Sequence, residues 1–146
     1  MQTISYPKPG ERPYVIGPYK EPLARVNPNE TITIETLDAF ENKIDSQDVD
    51  LSKIITLPYI NPLTGPIYII GAEKGDSIAV KIHEITNTRD YGVSCVIPQF
   101  GGLCGTTFTR TLNHDLEQRI LLHHINEDGI NFSNDLEIPR IPYKPF

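Results

Sequence analysis

The sequence predicts an all-β protein, a sandwich or barrel-like domain preceded by a proline-rich N-terminal arm. Three observations carry that expectation. Short runs of β-branched and apolar residues recur at regular spacing with turn signals between them. Pro7, Pro9, Pro13, Pro18, Pro22 and Pro28 fix φ and remove amide donors, so no long helix runs through the beginning of the chain. Asp128-Gly129 stands between two apolar runs, a strong hairpin signal. The chain has 146 residues, enough for one domain of ordinary size whose core needs no disulfides. We divide it into an extended arm over 1–25 and a β-rich domain over 26–146.

Each element follows from local chemistry. Asn27-Pro28-Asn29-Glu30 is a turn, and Thr31-Ile32-Thr33-Ile34-Glu35 behind it alternates polar and apolar as a half-buried strand does. The polar, acidic stretch 42–52 reads as an exposed loop or a short helical turn. Pro66-Ile67-Tyr68-Ile69-Ile70 is a nearly continuous apolar run, consistent with a strand covered on both faces. Glu73-Lys74-Gly75-Asp76 is a turn, and Ser77 to His83 alternates again with Ile78, Val80 and Ile82 on one face. These two runs are expected to form a β-hairpin. Val93 to Ile97 and Thr106 to Arg110 are further strand candidates, with a glycine-rich turn over 101–105 between them. A helix over 115–124 is possible, but strands on both sides of Asp128-Gly129 fit better. The tail from Ile138 is extended, again because of proline.

Composition excludes several classes. The formal net charge is −6, opposite to the basic footprint of a nucleic-acid binder. No apolar run approaches a membrane span, and the first residues do not resemble a signal peptide, so a cytoplasmic location is expected. Cys95 and Cys104 are not in CxxC spacing; they read as reduced thiols, a Cys nucleophile being the alternative. The 101–105 glycine run lacks the Lys-Ser/Thr ending of a phosphate loop.

Asp38 is the first candidate for chemistry. It falls just past a strand end among apolar neighbours, where a partly desolvated carboxylate can act as a general base or hold a divalent metal. The structural alternative is a turn or capping residue. Glu73 is the second, weaker candidate, explicable together with Asp76 as a solvated turn residue, with Gly75 supplying a positive φ. Asn61-Pro62-Leu63-Thr64-Gly65-Pro66 is a rigid corner whose amides or Asn61 side chain could touch a ligand. His83, His114, His123 and His124 show no recognised metal-ligand spacing, and the adjacent pair would face opposite sides of a strand.

In order and spacing, Leu37-Asp38-Ala39-Phe40, Asn61 to Pro66 and Gly71-Ala72-Glu73-Lys74-Gly75-Asp76 resemble the N-terminal part of the acetamidase/formamidase family. Pro98-Gln99-Phe100-Gly101-Gly102 is similar to a further stretch of that family. Lys74 departs from the proline common at its place. The resemblance covers about Pro22 to Phe146. It implies hydrolysis of a small aliphatic amide, such as formamide or acetamide, to carboxylate and ammonia. It implies Asp38 and Glu73 as catalytic carboxylates, Asn61 and Gly65 as substrate-binding residues, and Asp38 as ligand to a divalent metal, zinc by preference. The family's second-half motifs, GGN-x-D and DHA…GDGE, do not occur in these residues. The chain is therefore expected to act as an N-terminal half or subunit, with a complementary C-terminal half completing the site and the metal. Association into homo-oligomers is implied as well. The alternative is a non-catalytic β-domain for ligand binding or subunit assembly.

Overall fold

The computed structural model of the chain describes residues 1–17, 20–101 and 116–139. Among the described residues the fold is nearly all β, with eight short strands and a single helical turn. Chain contacts group into two units, one of Met1–Lys43 with Ser52–Ile78, the other of Ile44–Leu51 with Ala79–Phe146.

The first unit is built on two parallel strand pairs. β1 (Gln2–Ile4) runs beside β3 (Ile32–Ile34), and the ladder continues where Glu35 N donates to Ile4 O at 3.0 Å. β2 (Ala24–Val26) runs beside β4 (Ile67–Ile69), and Ile70 N extends that ladder to Val26 O. Ile4 and Val26 are buried, which sets the register of their strands, because a slip of one residue would turn each outward. The outward pair Arg25 and Tyr68 lies in register, with the guanidinium 4.5 Å from the ring centroid.

The proline-rich segment lies along other elements of the unit: β1 and β2 occupy its proline-free ends and pair with later strands, and Leu63 N donates to Pro13 O. Proline removes its own donor but leaves its carbonyl free to accept, so the segment can still be stitched into the unit. One expectation is corrected here: the hairpin expected of 66–70 and 77–83 is absent. β4 takes β2 as a parallel partner, and 77–83 forms no strand among the described residues. Nor is β4 covered on both faces there: Tyr68 is 40% exposed and Ile70 44%. Alternation predicts a strand; it cannot name the partner.

The second unit is antiparallel. β5 (Tyr91–Val96) pairs with β6 (Arg119–His124), and β7 (Gly129–Ser133) with β8 (Leu136–Pro139). An Ile125–Ile130 bridge links β6 to β7 across the Asp128-Gly129 turn, as the sequence predicts. A Cβ at Gly129 would sit 2.4 Å from Ile138 O, so the position needs empty space. Ile44–Leu51 belongs to this unit, and Ile44 and Leu51 are both essentially inaccessible. Leu51 opens the helical turn α1 (Leu51–Ile54); its amide donates to Gln118 Oε1, and Gln118 Nε2 donates to Val49 O. Among the described residues no helix is long and apolar enough to cross a membrane. Thr106 to Arg110, Cys104 and His114 lie outside the described residues.

Candidate functional site

Asp38 follows β3 and opens a tight loop that its own side chain holds. Its Oδ1 accepts from the amides of Phe40 (2.9 Å) and Asn42 (2.7 Å), while Asn42 Oδ1 accepts from the Asp38 amide at 3.1 Å. Glu41 N and Lys43 N donate back to the carbonyls of Asp38 and Phe40, closing two successive turns. The curl requires φ near +60° at both Glu41 and Asn42. Asparagine tolerates that region; glutamate seldom visits it.

Glu41 compensates through its side chain. Its Oε2 lies 2.8 Å from Arg12 Nη1 and 2.6 Å from Lys43 Nζ, and its Oε1 accepts from the Tyr14 hydroxyl. The Arg12 and Glu41 side chains are only 7% and 9% exposed, so the pair is screened little by water. The bonds from Lys43 and Tyr14, followed by Arg12, hold the Glu41 carboxyl at about 2 against the opposing effect of burial. The same contact raises the Tyr14 phenol above its ordinary value, through the Glu41 carboxylate first and burial second. Arg12 Nε in turn donates to Pro7 O at 2.9 Å, and the Tyr14 ring meets Tyr59 edge-on at 5.5 Å.

The 61–66 loop docks on this structure. Asn61, itself at φ 60°, donates its amide to Ala39 O at 2.9 Å, and Thr64 Oγ1 donates to Glu35 O at 2.7 Å. Gly65, at φ 151°, sits two residues ahead of β4. Of the residues singled out in the sequence, Asp38 and Asn61 therefore belong to neighbouring loops, with Gly65 at the far end of the second. Glu73 lies in a separate exposed turn, where its amide donates to Asp76 Oδ2 at 2.8 Å and Gly75 takes φ 107°.

His123, in the second unit, is buried, 5% exposed. Its Nε2 is 3.0 Å from Ser94 Oγ, and its ring stacks on Phe132 with centroids 4.8 Å apart. His124 points outward, so the two do face opposite sides of β6. Cys95 is a half-buried free thiol whose pKa burial raises.

Among the described residues no group of three or more His, Cys, Asp or Glu side chains could hold a metal ion. These residues thus do not fit a metal centre by themselves. Arg12, Tyr14, Glu41 and Asn42 escaped the sequence reading. The one local signal was Asn42, a residue suited to left-handed backbone four positions after Asp38.

The described residues thus form a β-rich fold in which the 61–66 loop contacts the loop that carries Asp38. The family follows: residues 17–133 match the Acetamidase/Formamidase family, and the chain belongs to it. Among solved structures it is similar to an acetamidase from Yersinia enterocolitica, with 32% identity over 95% of this chain and 43% of that one, TM-score 0.75. An acetamidase from Bacillus halodurans is 25% identical over 94% of this chain and 42% of its own, TM-score 0.68. A predicted acetamidase/formamidase from Thermoanaerobacter tengcongensis, at 20% identity and TM-score 0.63, shares the fold. No curated protein matches. The chain spans less than half the length of these solved relatives.

Proposed function

We propose that this chain takes part in hydrolysis of a small aliphatic amide, such as formamide or acetamide, as the N-terminal portion of an acetamidase site. The observation that carries the reading is the family match over 17–133, which spans the Asp38, Asn61 and Glu73 motifs. In this reading Asp38 takes a proton from water as the water attacks the amide carbonyl, and ammonia leaves as the carboxylate forms. Glu73 serves as the second carboxylate, and Asn61 and Gly65 position the amide. A complementary C-terminal half or subunit supplies the rest of the site, together with the further ligands that a zinc ion at Asp38 would require. Support for a missing piece comes from the relatives' greater length and from Ile78, Val80 and Ile82, which are 60%, 81% and 44% exposed among the described residues. Cytoplasmic location and assembly into homo-oligomers belong to the same reading.

A second reading, a β-domain for ligand binding or assembly, is favoured by one observation. Asp38 Oδ1 accepts two loop amides, which is a structural task.

The test is ammonia release from formamide and acetamide. The chain is mixed with the part of the Yersinia acetamidase that it does not cover, and each piece is also assayed alone. Release from the mixture only, lost in Asp38→Asn, is the expected result. Release by the chain alone overturns the divided site. Release that survives Asp38→Asn removes that carboxylate from the chemistry, and a stable but silent mixture favours the non-catalytic domain.

A further inference from the structure

We propose that Glu41 is a positioning residue for the Asp38 carboxylate, held in place by Arg12, Tyr14 and Lys43. The inference rests on the reading of Asp38 as a site residue. Phe40 and Asn42, whose amides hold Asp38 Oδ1, are the immediate neighbours of Glu41 on either side. Whatever fixes the Glu41 backbone therefore fixes the direction of both donors. Glu41 takes φ 60°, where glycine would be the usual solution, and the following residue takes φ 60° as well. A glutamate stays there because its carboxylate is tied from three directions while almost fully covered.

The ties are themselves anchored. Arg12 is fixed by Pro7 O and Tyr14 by Tyr59, so both reach Glu41 from held positions. Sequence distance makes the contact informative: Tyr14 and Glu41 are 27 residues apart, and no turn geometry would bring them together. On the other flank, Asn61 N holds Ala39 O at 2.9 Å. The loop is clasped on both sides of Asp38, by backbone at Ala39 and by charge at Glu41.

The test reads amide hydrogen exchange in the full-length chain. Glu41→Gln keeps the size of the side chain and discharges the ion pairs. Exchange at Phe40 and Asn42 is expected to speed up by about tenfold or more, a local opening, while β1–β3 amides keep their rates. Arg12→Lys, which preserves the cation, should leave both amides near the wild-type rate. Unchanged amides in a folded Glu41→Gln overturn the proposal. Acceleration spread evenly over β1 and β3 overturns it too, since that marks general stability. If Glu41→Gln does not fold, Tyr14→Phe decides on the same amides: faster exchange confined to Phe40 and Asn42 upholds the proposal, and any other pattern rejects it. Ammonia release is not read, so failure of the amidase reading leaves this result standing.

Discussion

The Asp38 loop of the first unit and the Asn126 turn of the second use one device for different ends. In each, a side-chain oxygen accepts two nearby backbone amides. Asp38 Oδ1 takes Phe40 and Asn42; Asn126 Oδ1 takes Asp128 at 2.9 Å and Gly129 at 2.6 Å. The Asn126 turn then passes straight into the β7–β8 ladder, and Asn126 Nδ2 also reaches Glu137 Oε1. Its stability is shared among main-chain bonds. The Asp38 loop leaves β3 and enters no strand. Beyond its own turn bonds, it is held by a charged cluster and by the backbone bond from Asn61. A turn supported by a ladder tolerates loss of a side chain; a loop supported by side chains does not.

The largest effect that would break this contrast is expected from Glu41→Ala. It leaves Arg12, 7% exposed, beside no counter-charge, and losing one partner of a buried pair costs about 3 kcal/mol or more. Exchange at the Phe40 and Asn42 amides would measure it; β1, β3, β7 and β8 amides should not respond. A loss below about 1 kcal/mol, the range of an exposed pair, would mean that the cluster behaves as surface charge.

Gly129→Ala comes next and strikes the other region. The added carbon meets a backbone oxygen at 2.4 Å, which cannot rotate away, so a loss of about 1–3 kcal/mol is expected, confined to β7–β8 protection. Neutrality would show that the two strands separate there without cost.

The last effect is a pH dependence of the first unit. The Glu41 carboxyl is held at about 2, below its ordinary 4.5. Its stabilisation is fully present above 4.5 and is lost as the pH falls from 4.5 through about 2. Acid titration should therefore release Phe40 and Asn42 amides in that window while Asn126 keeps hold of Asp128 and Gly129. In Glu41→Gln the acid-dependent part should vanish.

How much of this was legible in the chain differs by element. β3, β5 and the Asp128-Gly129 turn lie where alternation and turn chemistry predict them, since those signals are local. Asp38 and the 61–66 loop were legible through the family motifs, and the structure places them in contacting loops. Glu41 was not. Within Asp38-Ala39-Phe40-Glu41-Asn42 it looks like an ordinary surface acid, and its importance comes from Arg12 and Tyr14 in a segment that prolines made look detached.

By itself the sequence determined the β character, the positions of several strands, the need for a turn at Asp128-Gly129 and the family. Each follows from propensity, spacing or motif within a few residues. Tertiary structure alone decided that β4 pairs with β2 and not with 77–83, that Gly129 answers to space and not to φ, and that a glutamate holds a left-handed loop. These outcomes depend on groups far apart in the chain. Parallel pairing, a carbonyl's approach and a three-way ion cluster leave no period in the sequence; they exist only once distant backbone and side chains have met.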